Sequence, residues 1–84
     1  MFYKIENDFF TCEIDDMGAQ LHSLKSKENG KEYIWYGKTE IWYGQAPVLF
    51  PVIGQLINDK YFYNGTEYTM PKHGLARKLL FKVE

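Results

Sequence analysis

Apolar and polar residues alternate along much of the chain, which is the pattern of β-strands that bury one face. Phe10, Cys12 and Ile14 fall on one face of one such strand. No long window has apolar residues at helical spacing. We therefore predict an all-β chain, with strands over residues 2–6, 9–14, 19–26, 31–36, 60–64, 66–70 and 79–84.

Turn signals separate these strands. The strongest are Asn29-Gly30 and Asn64-Gly65, because both residue types tolerate the positive φ of a two-residue type I′ hairpin turn. The pattern changes between residues 37 and 59, where 39–42 can form one helical turn. Two prolines in 47–54 cannot both lie in a central strand. We expect this irregular apolar segment to join two layers or to line a pocket.

The composition restricts the class of protein. The chain has 84 residues, 45% of them hydrophobic and 18% aromatic, which favours a folded chain over a disordered one. Its net charge is −1 without a run of like charges, so we expect neither nucleic acid nor a membrane surface as a partner. The longest apolar run is too short to span a bilayer, and no export signal is visible.

The single cysteine and the final residues add two expectations. Cys12 cannot form a disulfide within the chain, which favours a reducing, cytoplasmic location with Cys12 in the core. The chain ends on the predicted strand 79–84 without a polar tail. We therefore interpret 1–84 as a single partial domain.

Few residues carry the signature of a chemical site, and no metal-ligand spacing or phosphate loop is present. Asp15 and Asp16 are adjacent, which is typical of a solvated turn. Alternation puts His22 on the face of Leu24, as a satisfied or surface histidine. His73 differs, because Pro71 and Gly74 constrain the backbone around it and favour presentation of the imidazole from a turn.

Arg77 has two interpretations. It can donate hydrogen bonds to a ligand hydroxyl or phosphate, or it can form a structural ion pair with Glu67 or Glu84. The aromatic residues between 33 and 43 are also ambiguous, since such side chains both fill cores and stack against sugars.

Three consecutive segments together resemble a known family. APVLFPVIGQL (46–56), the hairpin KYFYNGTEYTM (60–70) and PKHGLAR (71–77) are similar to the amino-terminal part of the aldose 1-epimerase (galactose mutarotase) family, nearest its bacterial branch related to lactose operons. The opening residues 2–37 also fit the first hairpins of that family. The resemblance implies an antiparallel β-sandwich of which this chain supplies only the first strands.

The resemblance also implies an activity, the interconversion of the α and β anomers of a free aldohexose such as galactose or glucose, without a cofactor or a metal. His73 matches a histidine that contacts the sugar near its reactive end. Gln55 stands where the family has a sugar-binding arginine, and Arg77 matches the arginine of an "HGfaR" motif. The family's catalytic base and acid lie downstream of this region, so we assign no catalytic residue here.

These matches lead to one main expectation and two alternatives. The main expectation is an epimerase-like fragment that binds a monosaccharide, is catalytically incomplete by itself and forms a homodimer or larger homo-oligomer through exposed strand edges. The first alternative is a non-catalytic carbohydrate-binding or assembly module, which the change to Gln55 favours. The second is activity on a sugar phosphate, for which Lys72, Arg77 and Lys78 supply positive charge.

Overall fold

Three antiparallel strands in the order β1-β2-β3 form the main sheet of the computed structural model, which describes residues 1–84. These strands are β1 (Phe2–Glu6), β2 (Phe10–Asp15) and β3 (Gln20–Ser26). A separate hairpin consists of β4 (Lys60–Tyr63) and β5 (Thr66–Thr69). Single 3-10 turns lie at Ile57–Asp59 and Ala76–Lys78. Five of the predicted strands are therefore confirmed to within one residue at each end.

A β-bulge in β3 controls which side chains share a face of the main sheet. Residues 12 and 13 pair with 24 and 23, but the register shifts between Glu13 and Ile14, so that Ile14 pairs with Leu21. His22 is the extra residue, and its ring stacks on Phe2 with the centroids 4.1 Å apart. The prediction that His22 shares a face with Leu24 is thus wrong, because the bulge reverses the alternation at this point.

The hairpin β4–β5 has the turn that its sequence predicts. Asn64 and Gly65 both have positive φ, +50° and +78°, as a type I′ turn requires. Tyr61 and Tyr68 are paired across the strands with their rings stacked 5.2 Å apart. The same prediction at Asn29-Gly30 is wrong, because only Gly30 has positive φ. The loop closes instead through two hydrogen bonds, from Gly30 N–H to Ser26 O and from Ser26 N–H to Lys31 O.

Two predicted strands do not form. Residues 31–36 make only an isolated bridge, Lys25 to Glu32, because the Glu32 carboxylate itself accepts the backbone N–H groups of residues 24, 33 and 34. Residues 79–84 make only the bridge between Met17 and Leu80. The alternating pattern is present there, but no strand lies alongside for the segment to pair with.

Residues 45 and 46 of the irregular segment pack against the face of the main sheet that carries Lys4 and Glu13. Gln45 Oε1 lies 2.8 Å from His22 Nδ1, and the Ala46 N–H donates to Gln20 Oε1 at 3.1 Å. Near residues 39–42 there is a single turn, in which Lys38 O accepts the N–H groups of residues 41 and 42. Met70 and Ala76 are the only buried apolar side chains of the chain, and they flank the segment that carries His73.

Candidate sugar-binding site

The apolar run 46–56 and the segment 70–77 are brought together by backbone contacts. Phe50 and Gly74 form a parallel bridge, and Phe50 O accepts the N–H groups of Leu75 at 2.8 Å and Ala76 at 3.1 Å. Gly74 has a φ of +78°, and a Cβ at this position would collide with the Phe50 carbonyl. The two segments that carry the candidate residues therefore meet at a place where glycine alone fits.

His73 is held in one orientation by the segment opposite. Its backbone N–H donates to Gly54 O at 2.9 Å, and its Nδ1 lies 2.6 Å from Ile53 O. Because a carbonyl oxygen only accepts, Nδ1 carries the proton of this bond. The free nitrogen is Nε2, which in the neutral ring is a hydrogen-bond acceptor. His73 is half-buried and has a φ of +67°, in agreement with the predicted presentation from a constrained turn.

Gln55 lies on the same segment as the carbonyls that hold His73, one residue beyond Gly54. It is exposed, and its Nε2 donates to Asp59 Oδ1 at 2.9 Å. An ionised carboxylate only accepts, so the NH₂ group of Gln55 must face Asp59 and its carbonyl Oε1 is turned away. Gln55 thus presents an acceptor, whereas an arginine presents donors only.

Arg77 lies close to the same turn but forms neither of the predicted ion pairs. Its Nη2 donates to Lys72 O at 3.4 Å, while Glu67 pairs instead with Lys60 at 3.1 Å. The Nε of Arg77 is buried without a hydrogen-bond partner. The prediction of a structural pair with Glu67 or Glu84 is therefore wrong, and the guanidinium group keeps donor capacity for another acceptor.

One cavity of the chain contains neither His73 nor Gln55 in its lining. It has a volume of about 400 Å³ and is bordered by Arg77, Lys78, Asp15, Gln20 and the aromatic side chains of Trp42 and Tyr43, among others. Arg77 is thus the one candidate residue that borders both this cavity and the turn of His73. His73 is half-buried and Gln55 is exposed, and neither borders this cavity.

His22, the second histidine, is engaged within the fold. Its Nδ1 is bonded to Gln45, whose own amide donates to the backbone oxygens of His22 and Trp35. The interpretation of His22 as a satisfied histidine is confirmed. No group of three or more His, Cys, Asp and Glu side chains is placed to hold a metal ion, and no helix is long and apolar enough to cross a bilayer.

Sequence reasoning missed two groups that shape this surface. The Ile53 carbonyl fixes the His73 ring, and Asp59 fixes the Gln55 amide. A backbone carbonyl has no sequence signature, so the first could not be found. The second had a weak signal, the spacing of four residues between Gln55 and Asp59 in a segment without a strand pattern.

Comparison with known proteins gives a consistent result. The model of the Aldose 1-epimerase family matches residues 1–84. The plasmid-encoded protein LacX of Lactococcus lactis subsp. lactis is 39% identical over 89 residues, which cover all of this chain and 29% of LacX.

Two solved structures superpose on the whole chain. A galactose mutarotase-like protein from Lactobacillus casei has a TM-score of 0.93 at 39% identity, and a galactose mutarotase related enzyme from Lactobacillus acidophilus has 0.92 at 45%. The chain spans 29% and 28% of these two structures. The expected fold, the first strands of a galactose mutarotase-like all-β protein, is confirmed. This chain belongs to the aldose 1-epimerase family.

Proposed function

We propose that this chain forms one wall of an aldose-binding cleft. We propose further that a protein with the complete cleft interconverts the α and β anomers of a free aldohexose. The observation that carries the proposal is the geometry of His73. Its Nδ1 is bonded to Ile53 O, so Nε2 is left to accept a proton or hydrogen bond from a sugar hydroxyl. The family to which the chain belongs supplies the reaction class.

Mutarotation requires two groups that exchange protons with the sugar. One protonates the ring oxygen while the other removes the proton of the anomeric hydroxyl, and the roles reverse when the ring closes. A neutral histidine held by one nitrogen is suited to hydrogen-bond a hydroxyl near the reacting carbon. We assign His73 to binding and orientation, with Gln55 and Arg77 as further sugar contacts, and we assign no catalytic acid or base to this chain.

Gln55 changes the kind of contact that the cleft offers. Its outward Oε1 accepts a hydrogen bond from a sugar hydroxyl, and the second N–H of its amide can donate one. An uncharged amide gives a weaker contact than a charge-assisted bond from arginine. This difference favours a neutral aldohexose over a sugar phosphate as the ligand. We propose a cytoplasmic location separately, because the single cysteine is typical of a reducing compartment.

A second function is favoured by the same substitution. A chain with Gln55 bonded to Asp59 can act as a non-catalytic carbohydrate-binding or assembly module, because a weakened site is compatible with binding without turnover. The two functions differ in whether the anomers exchange faster when the sugar is bound.

The test is anomer exchange of α-galactose and α-glucose, followed by polarimetry. Because no acid or base is assigned to this chain, exchange is measured with a chimera in which this chain replaces the matched span of the Lactobacillus casei protein, with two variants of that chimera and with buffer. His73→Ala removes the proposed contact, and His22→Ala is the matched control, because His22 is bonded to Gln45 within the fold. Exchange that exceeds buffer and is lost only in His73→Ala supports the enzymatic proposal.

Binding measured by NMR titration separates the alternatives. Saturable binding that needs His73 without faster exchange supports the binding module. Binding that His73→Ala leaves unchanged would contradict both proposals.

A further inference from the structure

The cavity that Arg77 borders combines positive charge with aromatic rings. Its volume is about 400 Å³, which is within the range of sites for small molecules. We call it the Arg77 cavity, after the side chains that give it its chemistry: Arg77, Lys78, Trp42 and Tyr43. Such a combination is suited to a ligand that is both anionic and partly apolar.

Arg77 is a partly buried cation without a counter-ion. It takes part in none of the ion pairs of the chain, and its one hydrogen bond, from Nη2 to Lys72 O, is long at 3.4 Å. Its Nε is buried without an acceptor. Removing a guanidinium group from water without a partner costs free energy, which a bound anion would offset. Because Nε is buried, a ligand would reach the Nη groups, and a carboxylate can bridge these with two hydrogen bonds.

The charge of the lining also favours an anion. Lys78 is exposed and, like Arg77, is not part of an ion pair. Asp15 is the only acidic residue of the lining, and its Oδ1 already accepts the Met17 N–H at 3.0 Å. The two cations therefore exceed the negative charge that faces them, so an anion gains more here than a neutral molecule.

The aromatic wall of the cavity is held in place. Trp35 Nε1 donates to Trp42 O at 2.7 Å. The Trp42 ring lies against Gly44, where an added Cβ would come within 2.6 Å of the ring. Trp42 nevertheless stays 49% exposed, so much of its surface is available to a ligand. Apolar and aromatic groups pack on such a surface.

From these observations we infer that the Arg77 cavity binds a small organic carboxylate, with its charge at Arg77 and Lys78 and its apolar or aromatic body against Trp42. The inference goes beyond the proposed sugar contact of His73 and does not rest on it, because His73 is not part of the lining. Since the sugar proposal also uses Arg77, a bound carboxylate and a bound sugar compete for its N–H groups.

The test is an NMR titration with benzoate as the probe and benzamide as its neutral analogue. Arg77 is the only arginine of the chain, so its Nε–H gives a unique signal in a ¹⁵N spectrum, and the indole N–H of Trp42 reports the other wall. We expect benzoate to shift both signals in a saturable way, and benzamide and inorganic phosphate to bind at least about tenfold more weakly. Equal affinities of benzoate and benzamide would overturn the inference, as would the absence of saturable binding or an unmoved Arg77 signal.

Variants separate this site from its surroundings, and the amide spectrum of each shows that it remains folded. Arg77→Lys keeps the charge but loses the fork of donors, and should weaken benzoate binding at least about tenfold. Lys72→Met removes a neighbouring exposed charge outside the lining and is the control, with an affinity within about twofold of the parent chain. Equal effects of these two substitutions would contradict the inference. His73→Ala should remove sugar binding but not benzoate binding, so failure of one proposal is distinguished from failure of the other.

The chimera with the Lactobacillus casei protein provides a second protein for the same titration. Benzoate should bind to it with an Arg77 shift like that of the 84-residue chain. Loss of benzoate binding in a folded chimera would overturn the inference, because the rest of the polypeptide would then supply the partner of Arg77.

Discussion

At the scale of single residues, the candidate site depends on backbone positions that side chains rarely adopt. His73 and Asp59 have φ values of +67° and +56°, and Gly74 follows His73 at +78°. Such positions cluster where a fold holds a ligand or a close contact. Here they orient the His73 ring and bring Gly74 against Phe50, so the geometry of the site is set by a short stretch of strained backbone.

Gly74→Ala should destabilise the chain and weaken the site together. The left-handed conformation alone costs an L-residue about 1–2 kcal/mol, and the new Cβ would also collide with the Phe50 carbonyl. Gly30→Ala is the control, because Gly30 has a similar φ of +71° but no atom within 4 Å of an added Cβ. Urea unfolding of both variants separates the two costs, and equal losses of stability would show that the contact with Phe50 does not form.

Asp59→Asn should release the Gln55 amide. Asparagine tolerates the positive φ of this position but can either donate or accept, so the amide of Gln55 is no longer held in one orientation. We expect the affinity for the preferred aldohexose to fall by roughly three- to tenfold, the effect of about 1 kcal/mol of lost hydrogen-bond positioning. A sugar titration measures the affinity, and the side-chain amide signals of Gln55 in a ¹⁵N NMR spectrum report its orientation directly. Unchanged amide signals would show that Asp59 does not hold Gln55.

At the scale of strands and turns, the alternation of apolar and polar residues predicted where five strands lie but not the register between β2 and β3. The bulge at His22 has no sequence signal, since one extra residue leaves the composition of the strand unchanged. The strand predicted at 31–36 has the alternating pattern but does not form, because the Glu32 side chain accepts the backbone N–H groups of Leu24 and Ile34 that strand pairing would use.

For the candidate site, the sequence indicated His73, Gln55 and Arg77 as residues. Their partners, Ile53 O, Asp59 and Lys72 O, depend on the folded path of the chain.

Glu32 should make the edge of the main sheet sensitive to acid. Partial burial raises the pKa of Glu32, but hydrogen bonds from Ser23 and from the backbone of Leu24, Ile34 and Tyr33 outweigh it, so the pKa lies below its ordinary value of 4.5. Because the pKa is lowered in the folded state, the stabilisation is present above pH 4.5 and is lost as the pH falls through the folded-state pKa.

The variant Glu32→Gln tests this assignment. It should be less stable than the parent chain at pH 7, and the difference should shrink as the pH falls below 4.5. Urea unfolding at pH 7 and pH 3 measures it. Glu6→Gln is the comparison, since the pKa of Glu6 is lowered instead by its hydrogen bond and attraction to Lys27 on the exposed surface, where ion pairs contribute little. A difference between parent and Glu32→Gln that does not change with pH would contradict the role of the carboxylate.

The paired tyrosines of the hairpin should contribute to its stability through their contact. Tyr61 and Tyr68 are stacked at 5.2 Å with an interplanar angle of 16°. Stacked aromatic pairs contribute about 0.5–1.5 kcal/mol beyond the burial of their area. A double-mutant cycle with Tyr61→Ala and Tyr68→Ala should give a coupling in this range, and strictly additive losses would indicate that the rings do not interact in solution.

At the scale of the whole molecule, the chain forms regular strands and turns but buries few of its residues. The chain has well-paired strands and turns, yet only 5 of its 84 residues are buried. Its fold is that of larger relatives, of which it spans 29%. The homodimer expected through strand edges stays a prediction, and it would use the unpaired backbone groups of an outer strand.

The small number of buried residues should give a small heat-capacity change on unfolding. A domain of 84 residues with an ordinary core gives about 1.0–1.3 kcal/mol/K, chiefly because unfolding exposes apolar surface. Here 25 large apolar side chains are already exposed in the folded chain, so we expect less than about half of that value. Scanning calorimetry of the 84-residue chain measures the change. The Lactobacillus casei protein, of which the chain spans 29%, is the control after scaling per residue. A full-sized change would mean that the chain buries a core in solution by associating, and sedimentation of the same sample would then give the number of copies involved.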